Sequence, residues 1–439
     1  MKEKLDKIFF SKVTSTPIAF FRIGFGIMLC IEILNYFKFG WIQEYFINPK
    51  FYFTFDGFHW LQPLSPSFMV ALFFVLFLSG LLVAVGLFYR WALLVFLIGF
   101  SYLFLLDKTN YLNHFYLIIL VLFLMLFIRA DRAFSLRQIF FSAPRLDDLP
   151  SWNLIILRFQ IGLVYVYGGI AKLNADWLQG EPIRIWIGNW QEKYAFLSSL
   201  SSELLVCFFT YGGLLFDLFI VPLLIIKRTR MLGICLVFLF HIINWQLFSI
   251  GIFPWFMMVA TILFFPVEWF NRFRQRPENP DCIESKSFIY TGLLVYMLIQ
   301  LLVPLRHFIY PGDPNWSEEG HRFSWHMKLR QKVSQVDIVI NDLNTNKSYL
   351  VDQSSYLTER QLLKMWYKPD MIQQFAVFVA GDAQAYGIER YTVTARAYCS
   401  LNGRAPQLFL DTAVDLSRVQ YGMFEAADWI LPLNTPLKP

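Results

Sequence analysis

The sequence has few charged residues and none of the short motifs that mark common soluble enzymes. Of its 439 residues only 16% are Asp, Glu, Lys or Arg, while 56% are hydrophobic and 19% are aromatic. It contains no phosphate-binding loop, dinucleotide-binding fingerprint or nucleophile elbow. The formal net charge of +6 is typical of the cytoplasmic loops of a membrane protein and does not indicate a nucleic-acid partner.

Cysteine and histidine are also scarce. The five cysteines and six histidines form neither a CxxC motif nor a Cys/His ligand pattern. Cys30, Cys207 and Cys235 lie in apolar stretches, where a thiol packs as a small hydrophobe, and Cys282 and Cys399 lie outside them. We therefore predict no structural zinc, no metal cofactor and no required disulfide.

Long apolar runs fill the first two thirds of the chain. Runs of about 18 or more residues are long enough to cross a bilayer as helices. We predict a membrane all-α fold, a polytopic bundle of about nine spans in the lipid bilayer, with no removable signal peptide before the first span. The predicted spans are 18–36, 67–88, 91–106, 115–128, 154–172, 203–226, 231–248, 252–269 and 287–307.

Basic residues cluster in alternate connections between these spans. If the N-terminus is cytoplasmic, nearly every cluster falls on the cytoplasmic side, as the positive-inside rule requires. Three polar segments, 107–114, 172–177 and 244–254, then lie together on the outer side. The basic clusters are Arg90; Arg129, Arg132 and Arg137; Lys227, Arg228 and Arg230; and Arg272, Arg274 and Arg276.

The composition changes near residue 310. Residues 1–310 are assigned to the transmembrane domain, and residues 311–439 mix polar and apolar positions with a period of two, which is typical of strands. We predict a small extramembrane α+β domain on the outer side, with a helix over 358–379. Its predicted strand segments are 336–342, 347–352, 390–401 and 405–416.

Lys172 ends the fifth predicted span, in the stretch VYVYGGIAKLNADW. A lysine at this position has two interpretations, and the local pattern leaves both open. In the first its long side chain lifts the ammonium into the interface as an anchor. In the second it is a partly desolvated amine that acts as a base.

The other charged residues in the predicted spans are interpreted as members of structural ion pairs. Arg158 precedes Lys172 by about four helical turns, so the two residues lie near opposite membrane faces. Glu32 and Asp217 are interpreted as ion-pair partners of arginines within the membrane.

Two histidines lie in the polar segments of the outer side. His114 follows Asn110 and Asn113, and His241 lies three residues before Asn244, on the same helical face. Structural hydrogen bonding is one interpretation, and proton transfer or oxyanion stabilisation is the other. Together with Lys172 and many aromatic residues, these side chains predict a cavity for a lipophilic ligand near the outer face.

Six long matches, in order, make the sequence similar to a known family. The motifs are FRIGFG (21–26), GLFYR (86–90), FLLDKTNYLNHFYL (104–117), LRFQIGLVYVYGGIAKLNADW (157–177), HIINWQLFSIGIF (241–253) and FSWHMKLR (323–330). Through them the sequence resembles the vitamin K-dependent gamma-glutamyl carboxylase family, including its bacterial members with a horizontally transferred transmembrane (HTTM) domain.

The resemblance implies an enzyme that oxidises a vitamin K hydroquinone or menaquinol with oxygen to the epoxide. Carbon dioxide is the second co-substrate, and the partner is a glutamate-containing protein or peptide that becomes γ-carboxylated. By resemblance Lys172 is the base, and His114 and His241 orient or stabilise intermediates. The implied quinone- and substrate-binding residues are Asn110, Asn113, Asp176, Trp177, Asn244, His321 and Trp325.

The sequence also departs from the animal enzymes. Ala171 replaces a second lysine, Asn174 replaces an aspartate, and His321 stands where those enzymes have a tyrosine linked to glutamate binding. The chain ends near Pro439, before a large β-rich region that helps animal members engage substrates. These departures keep two alternatives open: a quinol epoxidase or oxidoreductase without carboxylation, and a non-enzymatic quinone- or lipid-binding membrane protein.

Overall fold

The computed structural model describes residues 2–248, 250–273, 286–385, 387–422 and 424–437. Arg274, Arg276 and Cys282 lie outside the described residues. The helices are α1 Lys2–Phe9, α2 Thr16–Lys38, α3 Pro66–Val85, α4 Tyr89–Leu106, α5 Asn113–Phe127, α6 Leu136–Phe141, α7 Trp152–Ala171, α8 Ala175–Leu178, α9 Ile183–Lys193, α10 Ala195–Ser198, α11 Ser202–Ile225, α12 Arg230–Leu247, α13 Phe253–Ala260, α14 Lys286–Leu302, α15 Pro314–Ser317, α16 Glu359–Met365 and α17 Pro369–Ala385. The strands are β1 Lys12–Thr14, β2 Asp148–Pro150, β3 Lys332–Asp342, β4 Lys347–Leu350, β5 Tyr391–Leu401 and β6 Gln407–Leu408.

The apolar helices agree with the predicted spans. Among the described residues, seven helices are long and apolar enough to cross a membrane, and two further apolar helices are shorter. The seven are α2, α3, α4, α7, α11, α12 and α14 with its 3-10 extension to Ile309, and the shorter two are α5 and α13 with its extension to Phe264. The prediction of a polytopic helical membrane protein is confirmed, and the orientation of its N-terminus stays a prediction.

Helix α7 occupies the middle of the bundle and packs against α5, α11 and α14. Two adjacent glycines near its end let α11 approach closely. A Cβ atom on Gly169 would lie 2.8 Å from the Leu218 side chain, and one on Gly168 would lie 3.3 Å from a carboxylate oxygen of Asp217. Side chains at these two positions would therefore push α11 away from the end of α7.

The C-terminal domain has the predicted α+β fold. Its antiparallel sheet has the order β4-β3-β5-β6, with Val336 opposite Ala397 in the central pair. Helix α17 packs on β3 and β5 and buries Phe375 against this sheet. The predicted helix over 358–379 forms as two helices, α16 and α17, because Pro369 lacks an N–H group and disfavours a helical conformation at the residue before it.

The first polar segment, 107–114, joins this domain to the bundle. The Gln361 side chain donates to Asp107 at 2.9 Å, and Lys108 forms a buried ion pair with Asp370 at 2.9 Å. Although burial opposes it, the charges of Arg322 and Lys108 hold the pKa of the Asp370 carboxyl well below its usual range. The polar residues of this segment therefore fix the domain to one end of the bundle.

At the other end, β1 and β2 form a short antiparallel pair that the sequence pattern did not predict, with Val13 opposite Leu149. The pair brings the starts of α2 and α7 together. Nearby, the buried Arg22 side chain donates to the Phe134 carbonyl oxygen at 2.6 Å.

Candidate functional site

A cavity of about 650 Å³ lies between α7, α11 and α12. This volume is within the range of small-molecule binding sites, about 300–1,000 Å³. Most of its wall is made of aromatic and aliphatic side chains. Its polar and charged side chains are Lys172, Asp217, His241, Asn244 and Lys328, together with the polar groups of Tyr165, Trp177 and Trp186.

Lys172 and Asp217 form a buried ion pair in the cavity wall. The Nζ atom of Lys172 lies 2.5 Å from Oδ2 of Asp217, which projects from α11. The same ammonium donates to the Gly168 carbonyl oxygen at 3.3 Å and lies 5.2 Å from the centre of the Trp177 ring. With only 7% of Lys172 exposed, the interpretation of this residue as a snorkelling anchor is wrong.

Asp217 lines the cavity, and the sequence interpretation assigned it the wrong partner. It was expected to pair with an arginine, yet it pairs with Lys172, while the Arg158 side chain donates to the Leu263 carbonyl oxygen at 2.8 Å. The available signal was an aspartate in an otherwise apolar span. Its lysine partner is far away in sequence, and the Gly168-Gly169 contact brings the two together.

The Lys172–Asp217 pair has the chemistry of a proton acceptor. A lysine and an aspartate that share one proton carry no net charge, whether the proton is on the amine or on the carboxylate. An apolar wall tolerates either arrangement far better than an isolated ammonium. The pair can accept one further proton from a hydroxyl group placed beside it, which is what a general base in a dry site must do.

His241 and Asn244 both line the cavity, as their spacing predicts. The Nε2 atom of His241 lies 2.8 Å from the hydroxyl oxygen of Tyr165. Its Nδ1 atom is buried and has no hydrogen-bond partner within the described part of the chain. A hydroxyl or carbonyl group of a bound ligand would satisfy this atom, so the residues present fit an oxygen-bearing aromatic ligand.

His114 lies outside the cavity, one aromatic ring away from it. The Phe253 ring separates the two histidines: its centre is 5.9 Å from that of His114 and 6.0 Å from that of His241. His114 is half-buried, and its Nε2 atom lies 3.9 Å from where a Cβ on Gly251 would be. The structure therefore brings the first and third polar segments together at this point.

Asn110 and Asn113 brace loops and do not line the cavity. The Asn110 side chain donates to the Leu103 carbonyl oxygen at 3.3 Å. The Asn113 side chain donates to the His326 carbonyl oxygen at 3.0 Å and accepts from the Tyr111 hydroxyl at 2.8 Å.

Asp176 and Trp177, although adjacent, have different surroundings. Both carboxylate oxygens of Asp176 accept from Arg404, at 2.6 and 2.7 Å, and one also accepts from Asn402 at 2.7 Å. Asp176 therefore contacts the C-terminal domain, outside the cavity. Trp177 lines the cavity, and its indole N–H donates to the Thr210 carbonyl oxygen at 3.0 Å.

His321 and Trp325 are buried and do not line the cavity. The His321 ring is hydrogen-bonded to Arg330, which pairs with Glu318 at 2.5 Å. Burial and the neighbouring Arg330 hold the pKa of His321 well below its usual range. Trp325 is fully buried and stacks on Tyr116, with 5.1 Å between ring centres.

The loop over 323–330 nevertheless supplies two cavity residues that the sequence interpretation missed, Met327 and Lys328. Three of its non-glycine residues have positive φ angles: Phe323 at 66°, Trp325 at 58° and Lys328 at 51°. Such backbone conformations are costly and persist where the surrounding structure enforces them, often at ligand sites. Among the described residues, no group of three His, Cys, Asp or Glu side chains is arranged to hold a metal ion.

Comparison with known families agrees with this architecture. Residues 10–269 match the family model described as "HTTM domain", and residues 285–436 match "Vitamin K-dependent gamma-carboxylase, lumenal domain". No solved structure matches the chain. The helical bundle, its buried ion pair and the first match define an integral membrane protein with an HTTM domain. With the second match, the chain belongs to the vitamin K-dependent gamma-carboxylase family.

Proposed function

We propose that this protein is a carboxylase-type membrane enzyme that oxidises a vitamin K hydroquinone or menaquinol to its epoxide and couples this to γ-carboxylation of protein glutamate. The observation that carries the proposal is the Lys172–Asp217 pair, buried in an apolar cavity of about 650 Å³. When oxygen oxidises the bound hydroquinone, the reaction generates a strong base that removes a γ-proton from glutamate. Carbon dioxide then adds at the γ-carbon.

In this proposal Lys172 and Asp217 act as one base. With the shared proton on Asp217, the neutral amine of Lys172 takes the proton of a ring hydroxyl, and the ring oxyanion that forms balances the charge of the new ammonium. His241 and Asn244 hold the oxygen atoms of the ring from the opposite helix, with the Tyr165 hydroxyl fixing the orientation of His241. The aromatic wall excludes water, which would otherwise quench a strongly basic species.

Lys328 is proposed to hold the substrate carboxylate. It lines the same cavity as Lys172, is exposed, and lies 5.3 Å from the centre of the Phe248 ring. A flexible ammonium at a cavity mouth suits a carboxylate that arrives on a peptide. In this arrangement the glutamate enters from the side of the C-terminal domain, which we propose to be the outer, lumenal or periplasmic, side.

Replacing Lys328 with methionine is expected to raise the KM for a glutamate peptide by about tenfold, because a charged hydrogen bond to the carboxylate is lost. Epoxide formation without peptide, measured on the same samples, should change little. Lys286→Met is the matched control, since Lys286 is a half-exposed lysine that pairs with Asp6 at the other end of the bundle. An unchanged peptide KM in Lys328→Met would contradict this role.

The experiment that tests the function is an assay of purified protein with reduced vitamin K or menaquinone and oxygen, with and without a glutamate peptide and labelled carbon dioxide. Epoxide plus label in the peptide is expected. Epoxide without label would favour the second candidate, a quinol epoxidase lacking carboxylation. That candidate is favoured by one observation: His321, at the position linked to glutamate binding, is buried and engaged by Arg330. No epoxide in either condition would exclude both.

A further inference from the structure

The wall of the cavity is incomplete between α11 and α12. Four of the apolar side chains that line it are also strongly exposed on the molecular surface: Phe208 (63%), Leu215 (53%), Phe219 (55%) and Leu239 (56%). The surface of a membrane-spanning helix that no other helix covers faces lipid hydrocarbon. The cavity therefore opens sideways, towards the interior of the bilayer.

The α11 side of this opening is a single helical stripe. Phe208, Gly212, Leu215 and Phe219 follow one another at steps of four, three and four residues, which places them on one face of the helix. Gly212 is the only small residue of these four, and a Cβ atom built on it would meet no atom within 4 Å. The missing side chain leaves open space at the middle of the stripe. We call these four residues, with Leu239 of α12, the α11–α12 seam.

The seam lies next to the base. A Cβ atom on Gly213 would be 3.8 Å from the Trp177 ring and 4.0 Å from Cε of Lys172. Of these two adjacent glycines, Gly212 therefore lies in the seam and Gly213 lies beside Lys172 of the ion pair. A ligand whose polar ring lies at Lys172 can therefore extend into the bilayer through the gap at Gly212.

Exposure alone does not distinguish this seam, because α14 also presents an apolar face. Leu294 and Leu302 of α14 are 60% and 61% exposed, but neither residue lines the cavity. An exposed apolar residue can connect the bilayer with the buried Lys172 only if it also lines the cavity. The seam residues meet this condition, and Leu294 and Leu302 do not.

We propose that the α11–α12 seam is a side opening through which the long isoprenoid tail of a membrane-dissolved quinol extends into the bilayer while its ring lies at Lys172. The identity of the ring rests on the proposed function. The seam adds the place where the tail of that ligand leaves the cavity. The tail stays in hydrocarbon throughout, so the ligand never has to expose it to water.

The test is quinone binding to the full-length protein in lipid nanodiscs, followed by quenching of tryptophan fluorescence, since Trp177 and Trp186 line the cavity. The two probes are a naphthoquinone with a long isoprenoid tail and menadione, which has the same ring without the tail. Gly212→Leu fills the gap and is expected to weaken binding of the long-tailed quinone by about tenfold, and of menadione by less than about threefold.

Gly292→Leu is the matched control, because Gly292 is also a helical glycine whose Cβ would meet nothing within 4 Å, but it lies on α14. It should bind both quinones as the wild type does. Leu239→Phe narrows the seam from α12 and should give the same selective loss as Gly212→Leu, which guards against a folding defect in one variant. Equal weakening of both probes, or no change for the long-tailed quinone, would overturn the side opening alone. A wild-type protein that binds neither quinone would overturn the proposed function as well.

Discussion

Replacing Lys172 with alanine is expected to abolish quinol epoxidation, with a loss of at least about a hundredfold in turnover, as for removal of a general base. The reason is that the proposed base is the Lys172–Asp217 pair, whose nitrogen and oxygen atoms lie 2.5 Å apart, and the amine of Lys172 takes the hydroxyl proton. The measurement is the rate of epoxide formation by purified protein at saturating reduced quinone and oxygen, separated by chromatography.

A control is needed because the single variant leaves Asp217 as a buried charge without its partner, which is itself destabilising. The double variant Lys172→Met with Asp217→Leu replaces both charges by apolar side chains of similar size, a change that is often neutral for stability. It should unfold close to the wild-type temperature and remain inactive. Wild-type turnover in Lys172→Ala would rule out Lys172 as the base, whereas a wild-type protein that binds quinone but forms no epoxide would favour a quinone- or lipid-binding protein without catalysis.

Arg404→Met is expected to destabilise the protein by about 3–5 kcal/mol, because it leaves the buried Asp176 carboxylate without the guanidinium that holds both of its oxygens. The pair links α8 to the C-terminal domain, so its loss should loosen that domain first. Thermal unfolding and the rate of limited proteolysis within residues 311–437 are the measurements.

The matched control is Arg418→Met, which removes a surface ion pair between Arg418, whose side chain is 73% exposed, and Asp415. Exposed pairs of this kind contribute about 1 kcal/mol or less. The sequence assigned Asp176 to substrate or quinone binding, whereas its contacts favour a structural role. If Arg404→Met kept wild-type stability but raised the KM for quinol, the binding role would stand.

Hydrophobicity alone was enough to predict the transmembrane part. Each apolar helix lies close to its predicted span, since a helix satisfies its own backbone hydrogen bonds in lipid and needs only length and composition. The strands of the C-terminal domain were predicted from their period of two, because one face of that sheet is buried against α17. Pairs formed between distant segments, such as β1 with β2, carry no such periodic signal.

The candidate site was predicted only in part. Lys172, His241, Asn244 and Trp177 do line one cavity, whereas Asp176 contacts the C-terminal domain. The difference arises because sequence motifs identify polar residues near a membrane face but not the direction in which each side chain points. Residues that are adjacent in the chain can have different surroundings: in the short helix α8, Asp176 contacts the C-terminal domain and Trp177 lines the cavity.

The sequence by itself determined the class of fold and the family resemblance and made Lys172 the leading candidate for the base, because these depend on composition, spacing and local motifs. The tertiary structure alone decided which carboxylate pairs with that lysine, which residues of the 323–330 loop reach the cavity, and where the cavity opens to lipid. The pairing and the opening depend on how α11 packs against its neighbours. The absence of side chains at Gly168 and Gly169 lets α11 approach α7, and the absence of a side chain at Gly212 leaves a gap in the stripe; both consequences appear only when the helices are packed together.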